Sequence, residues 1–256
     1  MKFYPGLEVE FREDPLDIQY GKQVYGPTPE LRTLDSIRKS LIDPNSKGPE
    51  TVYCISMDVG LEQDKQNMLD RNLLFGVVTY AKGQIGEEPV RSQGHIHAIS
   101  KSCSASTCEV YEIWDGEAYI YMQESGKDEA GRCIVVHALA GDVVIVPPGW
   151  VHATINADPE RTMSFGAWCV RDYGFDYEDV RAHHGIAYFP IIKDGKIKWK
   201  MNKNYHSGHF VLKEARSYPE LHIEKDKPIY SQFQDDPDRF LFVSKPQLVD
   251  WDAFEV

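Results

Sequence analysis

The stretch GDVVIVPPGWVHATIN, residues 141–156, indicates the fold class of this chain. Its four β-branched residues, 143–146, predict a strand, and the two prolines and the glycine at 147–149 predict a tight turn. A second predicted strand, 151–156, follows and carries His152 inward. Further strands are predicted at 51–59, 73–80, 109–114, 118–123, 132–139 and 162–170. Many short strands with closely spaced turns indicate an antiparallel sandwich or barrel.

A His-x-His pair, His95 and His97, supplies candidate metal ligands. Side chains two residues apart on a strand share a face, so the two imidazoles are presented together. Glu109 opens the next predicted strand, and His152 follows the proline turn. Three imidazoles and one carboxylate suit Fe, Mn, Ni, Co or Zn, and they leave coordination positions for water or substrate. Glu112 is a weaker candidate for the carboxylate, because it faces away from Glu109 on a regular strand.

Both stretches match sequence motifs of the cupin family. Residues 141–156 fit Gly-x5-Pro-x-Gly-x2-His-x3-Asn at every fixed position, and residues 95–116 contain His-x-His followed by Glu-x6-Gly. The chain therefore resembles a cupin from about residue 52 to residue 170. The resemblance implies an all-β fold, a double-stranded β-helix or jelly-roll barrel with a few peripheral helices. Residues 100–108 form an insertion between the His-x-His pair and Glu109 of the first motif, and we expect them to loop over the cavity mouth.

A narrower resemblance, to the cupin-type glucose-6-phosphate isomerases, rests on longer strings. These are GHIH at 94–97, EVY at 109–111 and VPPGWVHATIN at 146–156, with further matches at Tyr53 and at GFDY, 174–177. The similarity implies interconversion of glucose 6-phosphate and fructose 6-phosphate, an aldose–ketose isomerisation of glycolysis and gluconeogenesis. It also implies a homodimer with one divalent metal per subunit. Fe²⁺ is the first choice for that metal, and Mn²⁺, Ni²⁺ or Zn²⁺ are the alternatives.

The same resemblance implies roles for individual residues. The implied metal ligands are His95, His97, Glu109 and His152, and the implied catalytic residues are Glu109 and Tyr111. The implied substrate-binding residues are Tyr53, Thr79, Ser92, Gly94 and Tyr177. A metal would polarise the sugar carbonyl as a Lewis acid. Whether a proton moves through an enediol, which needs a base, or a hydride shifts directly stays open.

Two positions depart from the isomerase pattern. Val78 stands where the family has a threonine, and Thr79 beside it is the expected replacement. Phe175 stands where the family often has a histidine near the substrate. His183 or His184 is the expected occupant of that space.

Composition limits the class of protein and its partners. The chain has 256 residues, is 42% hydrophobic and carries a formal net charge of −12. A protein this acidic lacks the basic patches that bind nucleic acid or anionic membranes, and no apolar run reaches the length of a membrane span. Five scattered cysteines and an N-terminus without a signal-peptide pattern predict a cytoplasmic protein whose partner is a small sugar phosphate.

The chain divides into a barrel and two arms. Residues 1–50 are predicted to form an N-terminal arm with one helix that starts at Thr28-Pro29, a capping residue followed by proline. Residues 51–201 are predicted to form the barrel, which ends with a hairpin at Asp194-Gly195. Residues 202–256 are predicted to form an arm that packs on the barrel or on a partner subunit.

Three alternatives to the leading function stay open at this stage. The first is a metal-dependent cupin dioxygenase, which needs redox iron and O₂. The second is an isomerase of another sugar phosphate, and the third is a non-catalytic sugar-binding cupin. All four ligands are present, which favours an enzyme over the third alternative. Lys82 and Arg91 are equally consistent with phosphate contacts and with solvated loop charges.

Overall fold

Two β-sheets carry the barrel in the computed structural model of this protein, which describes residues 2–256. The strands of the chain are β1 (Val9–Glu13), β2 (Leu16–Tyr20), β3 (Val24–Tyr25), β4 (Glu30–Thr33), β5 (Thr51–Met57), β6 (Gly60–Leu61), β7 (Leu73–Tyr80), β8 (Gln84–Ile85), β9 (Glu88–Pro89), β10 (Ile96–His97), β11 (Glu109–Asp115), β12 (Glu117–Gln123), β13 (Glu129–Leu139), β14 (Val143–Val146), β15 (Val151–Asn156), β16 (Met163–Val170), β17 (Phe175–Asp176), β18 (Tyr188–Lys193), β19 (Lys196–Met201) and β20 (Ser207–Glu214).

Short helices lie between and after the strands. The α-helices are α1 (Leu34–Ile37), α2 (Lys65–Asp70), α3 (Glu178–Ala182), α4 (Ile229–Asp235) and α5 (Leu241–Ser244). Single 3-10 turns occupy Arg38–Ser40, Glu62–Asp64, Pro219–Leu221 and Pro246–Leu248. No helix within residues 2–256 is both long and apolar enough to cross a membrane.

The order of the strands is that of a jelly-roll. One sheet has six strands in the order β14-β11-β16-β7-β5-β4, and the other has four in the order β15-β12-β13-β20. Along the chain, β11 lies in the first sheet, β12 and β13 in the second, β14 in the first, β15 in the second and β16 in the first. This alternation winds the chain around one core, so the predicted all-β cupin fold is confirmed.

Apolar side chains form three buried clusters, two of which flank the six-stranded sheet. One cluster lies between the sheets and includes Ile113, Met122 and Val136. Another covers the outer face of the six-stranded sheet, where Trp168 of β16 stacks on Tyr230 of α4 with ring centroids 5.7 Å apart. Every residue of β7 and of β16 is buried, because both faces of these strands are covered. The C-terminal helices therefore form the outer layer of the fold.

The helix predicted from Thr28-Pro29 begins later than expected. Residues Glu30–Thr33 instead form β4, an edge strand paired antiparallel with β5, and α1 begins at Leu34. Leu31 of this strand is 52% exposed, whereas Leu34 and Ile37 of α1 are buried. Hydrogen bonding to a neighbouring strand satisfies the backbone of this segment, and this long-range pairing outweighs the local helical spacing.

Strands of both arms join the sheets of the barrel. The N-terminal arm contributes β4, and β20 of the C-terminal arm pairs parallel with β13. The hairpin at Asp194-Gly195 is confirmed, since both residues have positive φ, 54° and 69°, between β18 and β19. The limits of the three predicted segments stay a prediction.

Candidate metal centre

The structure brings the four predicted ligands together. The ligand atoms of His95, His97, Glu109 and His152 all lie within 4.8 Å of one another. His95 and His152 are joined by two backbone hydrogen bonds: the His95 amide donates to the His152 carbonyl over 3.0 Å, and the His152 amide donates to the His95 carbonyl over 2.9 Å. This pairing of the segment before β10 with β15 brings the two sequence motifs to one point.

The donor atoms of this cluster fit a divalent metal ion. Nε2 of His152 lies 3.1 Å and Nε2 of His97 lies 3.2 Å from the same oxygen, Oε2 of Glu109. Nε2 atoms of both His95 and His97 are buried without a hydrogen-bond partner. Buried polar atoms without partners are costly, and a metal bound among them would remove that cost. Three imidazoles and one carboxylate form a set that Fe, Mn, Ni, Co or Zn accepts.

Backbone carbonyls orient two of the imidazoles. Nδ1 of His97 lies 3.0 Å from the Thr107 carbonyl oxygen, and Nδ1 of His152 lies 3.1 Å from that of Trp150. A carbonyl only accepts, so each Nδ1 carries a proton and each Nε2 turns its lone pair toward the cluster. Thr107 belongs to the insertion 100–108, which the structure describes in full and which does not line the cavity. The insertion therefore supports His97 and does not loop over the cavity mouth.

The Glu109 carboxylate is held by groups on both oxygens. The Tyr111 hydroxyl donates to Oε2 over 2.9 Å, and the Cys169 thiol donates to Oε1 over 3.3 Å. Burial alone would raise the pKa of Glu109, but the imidazoles of His152 and His97 beside it hold that pKa well below its usual value. Glu109 is thus an anionic candidate ligand. Cys169 was missed by the sequence analysis, because no local motif marks it.

Burial and mutual repulsion keep His95 neutral. Desolvation, followed by the neighbouring His152 and His97, lowers the pKa of His95 well below its usual value. Burial, and then the charge of Glu109, raises the pKa of Tyr111 well above its usual value. A neutral imidazole can bind a metal, and a protonated phenol can donate a hydrogen bond.

A cavity opens beside the cluster. His95, Glu109 and Tyr111 line it together with most of the predicted substrate-binding residues, which are Tyr53, Ser92, Gly94 and Tyr177. Gly94 has φ +94°, and a Cβ there would lie 2.8 Å from the Ile186 side chain. Glycine therefore suits both this positive φ and the close approach of the backbone to Ile186.

Thr79 is the predicted binding residue that the structure places elsewhere. Val78 lines the cavity, whereas the Thr79 side chain lies on the opposite face of β7, which is fully buried. Successive strand residues point to opposite faces, so a neighbour in sequence cannot take over the position of Val78. We correct the prediction accordingly: Thr79 is not part of the cavity wall.

Neither His183 nor His184, the expected replacements of the family histidine, lines the cavity in the described part of the chain. Phe175 lines the cavity and lies against His95, with ring centroids 4.5 Å apart. His183 instead stacks on Tyr205 with centroids 4.1 Å apart and contacts Asp128 over 3.1 Å. His184 is exposed. An apolar ring therefore covers the metal ligands on this side.

The cationic side chain at the cavity is one that the sequence analysis did not single out. Arg32 of β4 lines the wall. Arg91 is fully buried and bonded to Glu88 over 2.6 Å, and Lys82 lies 3.5 Å from Glu13 on the surface. Arg32 was missed because its segment was assigned to a helix, and only the pairing of β4 with β5 brings it to the cavity.

Comparisons with known proteins agree with this geometry. The family model described as Glucose-6-phosphate isomerase (GPI) matches residues 36–208, which is more than half of the chain. A putative glucose-6-phosphate isomerase 1 of Rhizobium meliloti (strain 1021) is 29% identical over 133 residues, which cover 52% of this chain and 57% of the relative. A glucose-6-phosphate isomerase of Thermococcus litoralis is 25% identical over 183 residues, which cover 67% of this chain and 87% of the relative.

Solved structures with some similarity include vicilin from Corylus avellana, with a TM-score of 0.37 and 12% identity over 51% of this chain and 33% of that one. A deletion mutant of Bacillus subtilis oxalate decarboxylase has a TM-score of 0.33 and 11% identity over 61% of this chain and 32% of that one. The match to the first curated relative spans less than two thirds of that protein's length. By the extent of the family match, the chain belongs to the glucose-6-phosphate isomerase family.

Proposed function

We propose that this protein is a metal-dependent isomerase that interconverts glucose 6-phosphate and fructose 6-phosphate. The observation that carries the proposal is the cluster of His95, His97, Glu109 and His152 beside a cavity, in a chain of this family. We assign one divalent metal to each subunit, with Fe²⁺ as the first choice and Mn²⁺, Ni²⁺ or Zn²⁺ as alternatives.

A divalent metal held by these four residues would act as a Lewis acid toward the sugar carbonyl. The protein groups beside it have separate tasks. Glu109, kept anionic by its surroundings, accepts hydrogen bonds. It is the candidate base for C1 and C2 if a proton moves through an enediol, provided that it partly releases the metal. Tyr111, whose hydroxyl lies 2.9 Å from Glu109, is the candidate donor to a sugar oxygen. In a direct hydride shift, Tyr111 would keep this task and no base would be needed.

The remaining cavity residues would hold the open-chain sugar phosphate. Tyr53, Ser92 and Tyr177 offer hydroxyl groups, and Gly94 lines the cavity beside the candidate metal ligand His95. The Ser92 hydroxyl oxygen accepts the Thr154 amide proton over 3.0 Å, so its own proton is available to a ligand. Burial raises the pKa values of Tyr53 and Tyr177, which keeps both hydroxyls protonated as donors.

The decisive experiment is an isomerase assay of metal-stripped protein. Glucose 6-phosphate formed from fructose 6-phosphate is measured before and after separate addition of Fe²⁺, Mn²⁺, Ni²⁺ and Zn²⁺. We expect activity to vanish with chelation and to return with at least one ion. Protein that binds metal but stays inactive with every ion would contradict the isomerase assignment. Oxygen consumption and sugar binding without turnover would then be measured, because these report the dioxygenase and the non-catalytic alternatives.

We also propose that the protein is a cytoplasmic homodimer. All five cysteines are free, in keeping with a reducing compartment. The edge strands β4 and β20 each have one unpaired edge, and such edges are suited to pairing between subunits. Light scattering at micromolar concentration should give twice the mass of the chain. A monomeric mass would contradict the dimer.

A further inference from the structure

A guanidinium group stands in a cavity wall that is otherwise largely neutral. Among the described residues that line the cavity, Arg32 is the only lysine or arginine. The wall around it is apolar, with Ile55, Met57 and Val78. Glu109 is the carboxylate of the cavity, and it belongs to the metal cluster. A dianionic ligand that enters this space therefore meets a single side chain of fixed positive charge apart from the metal site.

The position of Arg32 is set by the sheet. Arg32 is paired with Tyr53 across β4 and β5. Tyr53 is in turn stacked on Tyr80, with ring centroids 4.8 Å apart and planes inclined by 13°. Burial is the main effect on the pKa of Tyr177, and it raises that pKa. The charge of Arg32 is the strongest effect that lowers the pKa. The guanidinium of Arg32 therefore also lies near the Tyr177 hydroxyl. Arg32, Tyr53 and Tyr177 thus form a group of donors on one wall.

The existing partner of Arg32 is easily exchanged. Its guanidinium lies 2.9 Å from the Glu30 carboxylate, but the two side chains are 36% and 66% exposed. Exposed ion pairs of this kind contribute only about 0–1 kcal/mol. A phosphate dianion offers a stronger, two-pronged partner for the planar fork of an arginine.

We propose that Arg32 is the charged anchor for the phosphate group of the substrate and a determinant of specificity for phosphorylated over free sugars. The inference rests on the proposed function for its substrate class. The hydroxyls of Tyr53 and Tyr177 complete the anchor by donating to the phosphate oxygens. A phosphate held on this wall directs the other end of an open-chain sugar toward His95 and Glu109.

The test uses ligands that bind but cannot react. Sorbitol 6-phosphate and sorbitol have no carbonyl group, so neither can be isomerised, and they differ only in the phosphate. Both are titrated calorimetrically into the metal-loaded full chain, its Arg32→Met variant and its Lys82→Met variant. Lys82 lies on the surface beside Glu13, so Lys82→Met is a matched control for the loss of one positive charge. Thermal melts establish that both variants are folded.

We expect Arg32→Met to raise the dissociation constant of sorbitol 6-phosphate by about 10- to 100-fold, the loss typical of a charge-assisted contact. The weak affinity for sorbitol and the binding by Lys82→Met should stay as in the wild type. Arg32→Lys should recover part of the affinity, since it restores the charge without the fork. Equal effects of Arg32→Met and Lys82→Met would overturn the proposal, as would a wild-type protein that binds sorbitol as tightly as its phosphate.

Binding of sorbitol 6-phosphate is measured without turnover, so the anchor and the proposed function can fail separately. Binding of sorbitol 6-phosphate that depends on Arg32, in a protein that does not isomerise fructose 6-phosphate, would support the anchor and remove the proposed function. A kinetic result can overturn the anchor alone. The protein would then be an active isomerase, and Arg32→Met would have the same ratio of kcat/KM for fructose 6-phosphate to kcat/KM for free fructose as the wild type.

Discussion

At the scale of single residues, Tyr111 and Glu109 form the contact that joins the candidate metal centre to the cavity. The Tyr111 hydroxyl donates to Glu109 Oε2 over 2.9 Å, and both side chains are buried. His152 contacts the same oxygen, so the tyrosine helps to fix the carboxylate that would bind the metal. Orientation of Glu109 therefore uses the one proton of this hydroxyl, which can donate to a substrate only when it leaves Glu109.

Removal of that hydroxyl in Tyr111→Phe should lower isomerase kcat by about 100- to 1,000-fold, because one positioned donor is lost. It should also cost about 1 kcal/mol of unfolding free energy, the usual net value of a hydrogen bond. Tyr121→Phe is the matched control, since the buried Tyr121 hydroxyl donates to Gln123 over 2.8 Å. It should cost similar stability and leave kcat unchanged. Steady-state kinetics and urea unfolding measure both quantities, and equal kcat values in the two variants would contradict a catalytic role for Tyr111.

At the scale of elements, β11 presents one buried carboxylate on each of its two faces. Glu109 faces the barrel interior, whereas Glu112 lies under the C-terminal segment with 0% exposure. Glu112 accepts hydrogen bonds from Trp114 Nε1 and from the backbone amide of Ile229, each over 2.8 Å. The second bond ties the start of α4 to the barrel. Burial raises the pKa of Glu112 to about 8, and the two donors only partly oppose this effect.

The raised pKa predicts a stability that falls as pH rises. Between the pKa of an unfolded glutamate, about 4.3, and about 8, the folded state keeps a proton that the unfolded state has released. The unfolding free energy should therefore fall by up to about 1.4 kcal/mol per pH unit within this window. Glu112→Gln removes the titration, so its unfolding free energy relative to wild type should rise from pH 5 to pH 8. Urea melts at both pH values measure this difference, and a constant difference would contradict the assignment.

At the scale of the whole molecule, the metal site stands where several distant parts of the chain meet. The ligands come from the segment before β10, from β10, from β11 and from β15, and Cys169 of β16 contacts Glu109 from a fifth position. An unfolded chain separates all of these groups. A metal that binds only the assembled site should consequently stabilise the entire fold.

Chelation should lower the melting temperature. A ligand present at 100 times its dissociation constant stabilises the folded state by about 2.7 kcal/mol. For a chain of this size, that corresponds to roughly 5 to 10 °C. His152→Ala should remain folded but lose metal retention and therefore the shift on chelation. Thermal melts monitored by circular dichroism, together with metal analysis, measure both effects, and full metal occupancy in His152→Ala would exclude this histidine from the site.

The sequence determined the features that depend on local order. The bounds predicted for β7, β14 and β15 are those observed, because alternating or continuous β-branched runs between turn residues define a strand locally. The four candidate ligands were also identifiable, since the cupin motifs hold His95, His97, Glu109 and His152 at fixed spacings. The hairpin at Asp194-Gly195 follows from residues that tolerate positive φ.

Only the tertiary structure decided features that depend on which segments become neighbours. Residues 30–33 were predicted to belong to a helix, yet they form β4 because β5 offers antiparallel hydrogen-bond partners. That pairing brings Arg32 to the cavity, and the packing of β16 brings Cys169 to Glu109. Likewise, Val78 rather than Thr79 lines the wall, because the register of β7 in its sheet chooses one face. Strand bounds and ligand spacings depend on residues that are neighbours in sequence. The contacts of Arg32, Cys169 and Val78 instead join residues far apart in the chain, and they exist only when the sheets form.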